Sequence, residues 1–361
     1  GTMTAATIAQ NIFDGASGAD ATILANKLVV AKAYTAAIDS AAEVVAYSGT
    51  VAAASARTLL STVDAATVTA SFDVATSIAS TVTASTAAAA VAGISVSLTT
   101  NTDAASGNAG NDTFESSYST ANGMTFQSSD TIDGGAGTDQ INVTVGVTGT
   151  HQASSLTNVE TVKGTFSAAG TLSLLGSSGV ANVSASGSTA AASVTNIPLG
   201  AALEIQNSGQ NATFAYKASD VTGSSDSATI TLNNATAGTL TVAAIETLNV
   251  VSGGGGNVLT AITAAAANTI NLTGSQSLDM GTANSVAEMI DGSAATGVIT
   301  VITDNANATT VKTGSANDSI TSTGGTATVV TIESGAGDDT ITHTANLGST
   351  DVINGGDGTD T

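Results

Sequence analysis

The side chains best suited to chemistry in this sequence are aspartates that follow closely spaced glycines. Segments beginning at Gly107, Gly134, Ser334 and Gly355 share a nonapeptide pattern, with glycines among the first four positions and an aspartate at the sixth. A degenerate copy begins at Thr313. Glycine permits positive φ and lets backbone carbonyl groups converge, and carboxylate and carbonyl oxygens are the ligands that Ca²⁺ takes. The pattern predicts calcium-binding turns, against the alternative of ordinary Asp-Gly turns without metal.

The candidate ligands fall into three groups. The sixth-position aspartates are Asp112, Asp139, Asp318, Asp339 and Asp360. Acids just before the glycines, or within the turns, that could add oxygens are Asp130, Asp133, Asp338, Asp351 and Asp357. The glycines that shape the turns are Gly107, Gly110, Gly135, Gly137, Gly335, Gly337, Gly356 and Gly358. The motifs depart from the pattern at several positions: Asn108 replaces the second glycine before Asp112, Ala316 replaces the fourth before Asp318, and Ser334 replaces the first before Asp339.

The scaffold that must position these turns is predicted from an internal repeat. Ile290, Val311, Ile332 and Ile353 recur every 21 residues, each followed two residues later by a turn. Farther along each repeat, a second set keeps the same spacing: Ile299, Ile320 and Ile341. A fixed period with one turn and one strand per unit is typical of stacked coils. From about residue 93 onward, short segments alternate apolar and small polar residues, as strands do. We therefore predict a mainly β fold, a parallel β-solenoid or β-roll.

An α-helical segment is predicted before the solenoid. Asp20 is placed to cap a helix that runs to Ile38, and Ser40 to Glu43 has the form of a capping box. Further helices are predicted from Thr50 to Leu60 and over 71–83. A last, weaker helical pattern covers 258–267.

The predicted organisation has four parts. Residues 1–88 form the helical segment, 89–150 the first calcium-binding β segment, 151–285 a β-solenoid without clear metal motifs, and 286–361 the 21-residue repeats. Within the third part, a Glu-Thr pair recurs in 158–162 and 245–250, which indicates equivalent strands of two coils. The chain has no secretory-signal pattern and stops inside a repeat, so we expect a fragment.

Composition limits the partners. The chain has 28 acidic and 6 basic residues and a net charge of −22, whereas nucleic-acid and anionic-lipid binding need clustered basic residues. A divalent cation fits this acidic balance. No apolar run reaches the length of a membrane span. With 42% hydrophobic but only 3% aromatic residues, the core is expected to be thin, as in stacked repeats.

Catalysis is not expected. Cysteine is absent, and the only histidines are His151 and His343, outside any zinc-protease motif. Both are predicted to be solvent-facing strand residues. No nucleophile elbow occurs in a strand-to-helix setting.

The glycine-aspartate motifs resemble RTX repeats, the calcium-binding β-roll of proteins exported by type I secretion. The Ala/Thr-rich helices, the segment 96–103 leading into the first motif, and the Glu-Thr coils are together similar to bacterial surface-layer (S-layer) proteins of the Caulobacter kind. The resemblance implies a secreted, non-enzymatic protein that self-assembles into a calcium-dependent lattice on the cell surface. It also implies that the helical segment binds lipopolysaccharide or another surface glycan. An RTX adhesin or biofilm protein, and the export module of a secreted enzyme, are the alternatives.

Overall fold

The computed structural model describes most of the β region and part of the helical region. The described residues are 15–39, 43–44, 50–67, 69, 73–76, 78–79, 91–236, 238–282, 287–303, 309–323, 329–344 and 347–361. The chain divides into two compact units, Gly1–Ala92 and Gly93–Thr361. The boundary lies within a few residues of the one expected after residue 88. The three predicted β segments belong to a single unit.

The first unit contains two described helices of more than two turns, α1 (Gly18–Ala36) and α2 (Thr50–Ser61). The prediction that Asp20 caps the first helix is wrong. Ser17 occupies the N-cap, without a side-chain capping bond, and Asp20 lies in the first turn, where a carboxylate is favourable beside the helix dipole. Among the described residues, no helix is long and apolar enough to cross a membrane.

The other helical predictions had different outcomes. The segments 40–47 and 71–83 lie largely outside the described residues. The helical pattern over 258–267 is wrong, because this stretch forms short strands, Asn257–Val258 and Ala261–Thr263. Buried Ile262 pairs in register with Leu240 of the preceding coil, and such tertiary pairing overrides local helix propensity.

The strands of the second unit are, in chain order, β1 (Ser95–Ser97), β2 (Ala104–Ser106), β3 (Thr113–Ser116), β4 (Tyr118–Ser119), β5 (Gly123–Met124), β6 (Thr131–Asp133), β7 (Gln140–Val145), β8 (Gly149–His151), β9 (Ser155–Thr157) and β10 (Thr161–Phe166). They continue with β11 (Gly170–Ser173), β12 (Ser177–Ser178), β13 (Asn182–Ser186), β14 (Ala192–Ile197), β15 (Ala202–Ser208), β16 (Ala212–Tyr216), β17 (Ser227–Ala235), β18 (Thr239–Ala243), β19 (Thr247–Gly253) and β20 (Asn257–Val258). The last are β21 (Ala261–Thr263), β22 (Thr269–Gly274), β23 (Leu278–Thr282), β24 (Met289–Asp291), β25 (Ile299–Thr303), β26 (Thr309–Lys312), β27 (Ser319–Ser322), β28 (Val330–Glu333), β29 (Thr340–His343) and β30 (Val352–Asn354).

These strands form a parallel β-solenoid, as predicted. A long sheet of 13 strands runs from β1 to β30, and a second sheet of 11 strands runs from β8 to β29. A short sheet contains β2, β6, β9 and β12. Each coil from β7 to β12 visits all three sheets, and later coils alternate between the long and second sheets. Among the described strands, only β4 and β5 pair in antiparallel fashion.

The solenoid core is a narrow stack of inward-facing side chains. In β7 and β10, buried residues alternate with half-buried ones along the strand, as the pleat requires. The predicted set Ile290, Val311, Ile332 and Ile353 pairs residue by residue across four strands of the long sheet. Aromatic side chains are few, and three of them are fully buried: Phe114, Phe166 and Phe214.

The second set of repeat positions is only partly equivalent in space. Ile320 pairs with Ile341 as predicted, but its partner on the other side is Val301, not Ile299. In residue number, Ile290 and Val301 are 11 apart, whereas the equivalent positions of the next two coils, Val311 with Ile320 and Ile332 with Ile341, are nine apart. Constant sequence spacing therefore hides a shift in register.

Ile230 provides a test of the stacked core. It is fully buried and pairs with Leu203 and Val250. Ile230→Ala is expected to lower the free energy of unfolding by about 2–5 kcal/mol, because it removes buried methyl groups and leaves a cavity. The adjacent exposed substitution Thr229→Ala is expected to change it by less than about 0.5 kcal/mol. Urea unfolding followed by circular dichroism measures both, and equal effects would contradict this packing.

Candidate metal centres

The glycine-aspartate turns form two stacks at different corners of the solenoid. Turns 107–112 and 134–139 lead from the short sheet into the long sheet, before β3 and β7. Turns 313–318 and 334–339 lead from the long sheet into the second sheet, before β27 and β29, and turn 355–360 follows them. The structure therefore brings together neighbouring motifs within each stack.

Each sixth-position aspartate joins its own coil to the preceding one. Its Oδ1 atom accepts a hydrogen bond from the backbone N–H of the equivalent residue one coil earlier. The donor–acceptor pairs are Ile94–Asp112, Asp112–Asp139, Ile299–Asp318 and Asp318–Asp339, all at 2.7 Å, and Asp339–Asp360 at 3.1 Å. A hydrogen bond from a backbone N–H to a carboxylate is charge-assisted and stronger than a neutral one. The aspartate column therefore stabilises coil stacking without any metal.

The second carboxylate oxygen distinguishes two of these aspartates from the rest. Asp139 and Asp339 are each 1% exposed, and the Oδ2 atom of each is buried with no hydrogen-bond partner. By contrast, Asp112 Oδ2 accepts the Asn108 N–H, and Asp318 Oδ2 accepts the Gly314 N–H at 3.1 Å. A buried carboxylate oxygen without a donor costs free energy, so only Asp139 and Asp339 combine deep burial with an oxygen in need of a ligand.

The backbone at the second motif position explains this difference. Gly135 and Gly335 both have φ +92°, which a side chain rarely adopts. The Gly135 N–H points to Asp133 Oδ1 (3.1 Å) and not to Asp139. Asn108 and Gly314 lack positive φ, and their N–H groups occupy the corresponding oxygen. A motif whose second glycine has positive φ therefore leaves a carboxylate oxygen free, unlike the motifs of Asp112 and Asp318.

The motif glycines also bring carbonyl oxygens close to the turns. A Cβ atom on Gly137 would stand 2.3 Å from the Gly110 carbonyl oxygen, and one on Gly337 2.4 Å from that of Ala316. On Gly358 it would stand 1.9 Å from the Gly337 carbonyl oxygen. Side chains are excluded there, and each turn is lined by backbone oxygens of the coil before it.

These donors fit a hard divalent cation. The candidate atoms are all oxygens, and Ca²⁺ takes six to eight oxygens at about 2.3–2.6 Å. Within the described part of the chain, no group of three acidic or histidine side chains converges on one metal position. Backbone carbonyl groups and water would therefore have to complete any coordination shell around Asp139 or Asp339.

Negative charge is concentrated at the buried aspartates. Burial raises the pKa of Asp139, and the nearby carboxylates of Glu160, Asp112 and Asp133 raise it further, against the hydrogen bond from the Asp112 N–H. Burial likewise raises the pKa of Asp318, with a smaller contribution from Asp339. A cation would relieve both the desolvation and the repulsion.

Two predicted ligands lie outside the glycine turns and are occupied by backbone donors. Asp130 is fully buried, and its oxygens accept the N–H groups of Asp103 (2.9 Å) and Gln127 (2.7 Å). The oxygens of Asp351 accept N–H groups of Val330 (3.0 Å) and Gly348 (2.7 Å), which lower its pKa. Both side chains stabilise other turns of the solenoid.

Of the remaining predicted acids, Asp133, Asp338 and Asp357 are exposed and Asp360 is half-buried. Asp133 Oδ1 also accepts the side-chain amide of Asn158 at 2.7 Å. Asp338 Oδ1 accepts the Thr359 N–H at 2.9 Å, and Asp357 lies on the surface of the last turn. Asp360 is half-buried, and a Cβ atom on Gly355 would stand 2.3 Å from its Oδ2 atom.

Sequence reasoning missed two acid pairs in which a glutamate takes the place of the sixth-position aspartate. Glu160 Oε2 accepts the Asp139 N–H at 2.8 Å, and Glu246 Oε2 accepts the Asp226 N–H at 2.8 Å. Asp226 Oδ2 is also buried without a partner. The sequence signal for these glutamates is the recurring Glu-Thr pair, whose threonine begins a strand of the long sheet, β10 or β19, as predicted.

The two histidines differ from each other. His151 is half-buried at the end of β8, with Nε2 3.2 Å from the Val147 carbonyl oxygen. The prediction that His343 faces solvent is wrong, because both of its ring nitrogens are buried without a hydrogen-bond partner. His343 is paired in register with Ser322, an inward-facing residue of the preceding coil, and the strand alternation turns it the same way.

Comparison with known proteins gives no family assignment. No protein-family model matches the chain, and no curated protein matches it.

Gly135 tests the shape of the first stack. Gly135→Ala places a methyl group 2.3 Å from the Asn108 carbonyl oxygen at positive φ. Gly149→Ala is the control, since Gly149 has φ +105° but no atom within 4 Å of a Cβ. Each should lose about 1–3 kcal/mol of unfolding free energy from backbone strain, and Gly135→Ala should lose more because backbone atoms must move. Equal melting temperatures for the two variants would contradict the stacked turn.

Asp139→Asn tests the raised pKa in calcium-free buffer. A folded-state pKa above the unfolded value favours folding at low pH, and this contribution is lost as pH rises through the folded-state pKa. The amide can still accept the Asp112 N–H. The variant should therefore gain thermal stability over the natural chain as pH rises from about 4 toward neutral. A melting-temperature difference independent of pH would refute the raised pKa.

Proposed function

We propose that this chain is a structural surface-layer protein whose β-solenoid is completed by Ca²⁺ outside the cell. The observation that carries the proposal is the pair of buried, unpartnered carboxylate oxygens on Asp139 and Asp339, each inside a near-complete glycine-aspartate turn. We assign the ions to these two turns. Asp112 and Asp318, whose oxygens accept backbone N–H groups, support the neighbouring coils.

Calcium would act as a folding switch. Without the ion, Asp139 is desolvated and surrounded by like charge. An ion that binds only the folded coils stabilises them by mass action. The chain would stay loosely folded in the low calcium of the cytosol and complete its fold after secretion, as the resemblance to type I secreted proteins implies.

The same ion would permit assembly. A net charge of −22 makes copies repel one another at neutral pH. Exposed carboxylates such as those of Asp338 and Asp357 can be bridged or screened by calcium when copies pack into a lattice. In this proposal the helical unit binds lipopolysaccharide or another surface glycan, and the chain performs no catalysis.

Asp339→Asn and Asp318→Asn form a matched test of the calcium assignment. Both side chains are buried in adjacent turns of one stack, but only Asp339 has an unpartnered oxygen. Asp339→Asn is expected to weaken calcium binding at one site at least about tenfold, because it removes a charged ligand. Asp318→Asn should leave that affinity within about twofold. Calcium titration calorimetry distinguishes them, and equal losses would overturn the assignment.

Assembly is tested by electron microscopy of the natural full-length protein with calcium and with chelator. Ordered two-dimensional arrays that disappear with chelator are expected. Full β structure in chelator by circular dichroism would exclude the folding switch. A calcium-folded protein that forms no array would refute the surface-layer role and favour the adhesin alternative.

A further inference from the structure

The first aspartate stack, formed by the turns of Asp112 and Asp139, continues for one more coil after the Asp139 motif. Asp139 precedes β7 and Glu160 precedes β10, and these strands pair in register from Gln140 and Thr161 onward. Glu160 therefore occupies, one coil later, the position that a sixth-position aspartate holds. The coil of Glu160 has no glycine motif, so the nonapeptide pattern does not identify Glu160 as a ligand.

Glu160 reaches back to the Asp139 turn. Its Oε2 atom accepts the Asp139 N–H at 2.8 Å, as Asp139 Oδ1 accepts the Asp112 N–H at 2.7 Å. No described residue donates a hydrogen bond to the Oε1 atom of half-buried Glu160. One oxygen fixes the side chain to the turn and the other remains available.

A backbone oxygen from the Glu160 coil lies at the same place. A Cβ atom on Gly134 would stand 1.8 Å from the Asn158 carbonyl oxygen and 2.5 Å from Asp139 Oδ2. Both oxygens therefore lie beside Gly134 and are at most 4.3 Å from each other, from the 1.8 and 2.5 Å distances. One Ca²⁺ with ligands at about 2.3–2.6 Å can bridge this separation. Asn158 is held at φ +51°, and its side-chain amide donates to Asp133 Oδ1 at 2.7 Å, which fixes the direction of that carbonyl group.

We propose that Glu160 is the terminal ligand of the first stack, and that one Ca²⁺ lies between the Asp139 turn and the first motif-free coil. Its ligands from this chain are Asp139 Oδ2, the Glu160 carboxylate and the Asn158 carbonyl oxygen. Asp139 Oδ2 is the buried oxygen that otherwise has no partner. The inference rests on the proposed calcium function and extends it, because the ion would join the calcium-binding coils to the motif-free solenoid.

Glu160→Gln is the direct test in the whole chain. The amide oxygen of Gln can still accept the Asp139 N–H, so coil stacking is kept while the charged ligand is lost. Calcium titration calorimetry should show one site weakened at least about tenfold, with the others unchanged. Glu115→Gln is the matched control, since it removes the same charge from β3, where Glu115 Oε1 accepts the Asn142 amide at 2.7 Å. Its affinities should match those of the natural chain.

The double variant Asp139→Asn with Glu160→Gln separates a shared ion from two independent ones. If both side chains bind one ion, the double variant loses no more sites than Asp139→Asn alone, because neighbouring ligands are not additive. Loss of a second site would overturn the inference, as would a Glu160→Gln titration identical to that of Glu115→Gln. If the natural chain binds no calcium, the proposed function itself fails. Circular dichroism at saturating calcium establishes that each variant is folded.

Discussion

The stacking of this solenoid depends on how each coil satisfies the backbone N–H just before a strand begins. Parallel pairing supplies acceptors along the strand, but the turn residue that precedes it must find another one. At several corners the acceptor is a carboxylate from the next coil. The N–H groups of Asp112, Asp139 and Asp226 donate to the carboxylates of Asp139, Glu160 and Glu246, respectively. At these corners the acid therefore has a structural role before any ion is considered.

The same carboxylate can serve metal binding because it has two oxygens. One oxygen holds the preceding coil, and the fate of the other is set by the second residue of the turn. Where that residue is Gly135 or Gly335 at positive φ, the oxygen stays buried and unpaired. Where the second residue is Asn108 or Gly314, which lack positive φ, its backbone N–H donates a hydrogen bond to that oxygen. A single peptide orientation separates a structural aspartate from a candidate calcium ligand.

This arrangement links the chain's composition to the proposed role. A thin core of Ile, Val and Leu can be extended by repetition, since each coil buries its apolar residues against the next. Repetition of the corner acids, however, places carboxylates in a column along the stack. These carboxylates repel one another in a chain that already carries a net charge of −22. In the proposed role, a divalent cation would offset this repulsion, and folding and assembly would both depend on calcium.

The fold class and the main candidate ligands were predictable from the sequence, because the evidence for them is local. The strand alternation and the near-complete motifs of Asp139 and Asp339 lie within short windows, and the set ending at Ile353 is a fixed 21-residue spacing that the chain itself displays. Stacking decided the rest. Val301 and not Ile299 pairs with Ile320 because turn lengths differ, and the two motif stacks lie at different corners because coils visit different sheets. Which carboxylate oxygen lacks a donor depends on the peptide orientation at the second residue of the same turn, which only the folded backbone shows. That Glu160 reaches Asp139 follows from a contact between coils 21 residues apart, which no local pattern encodes.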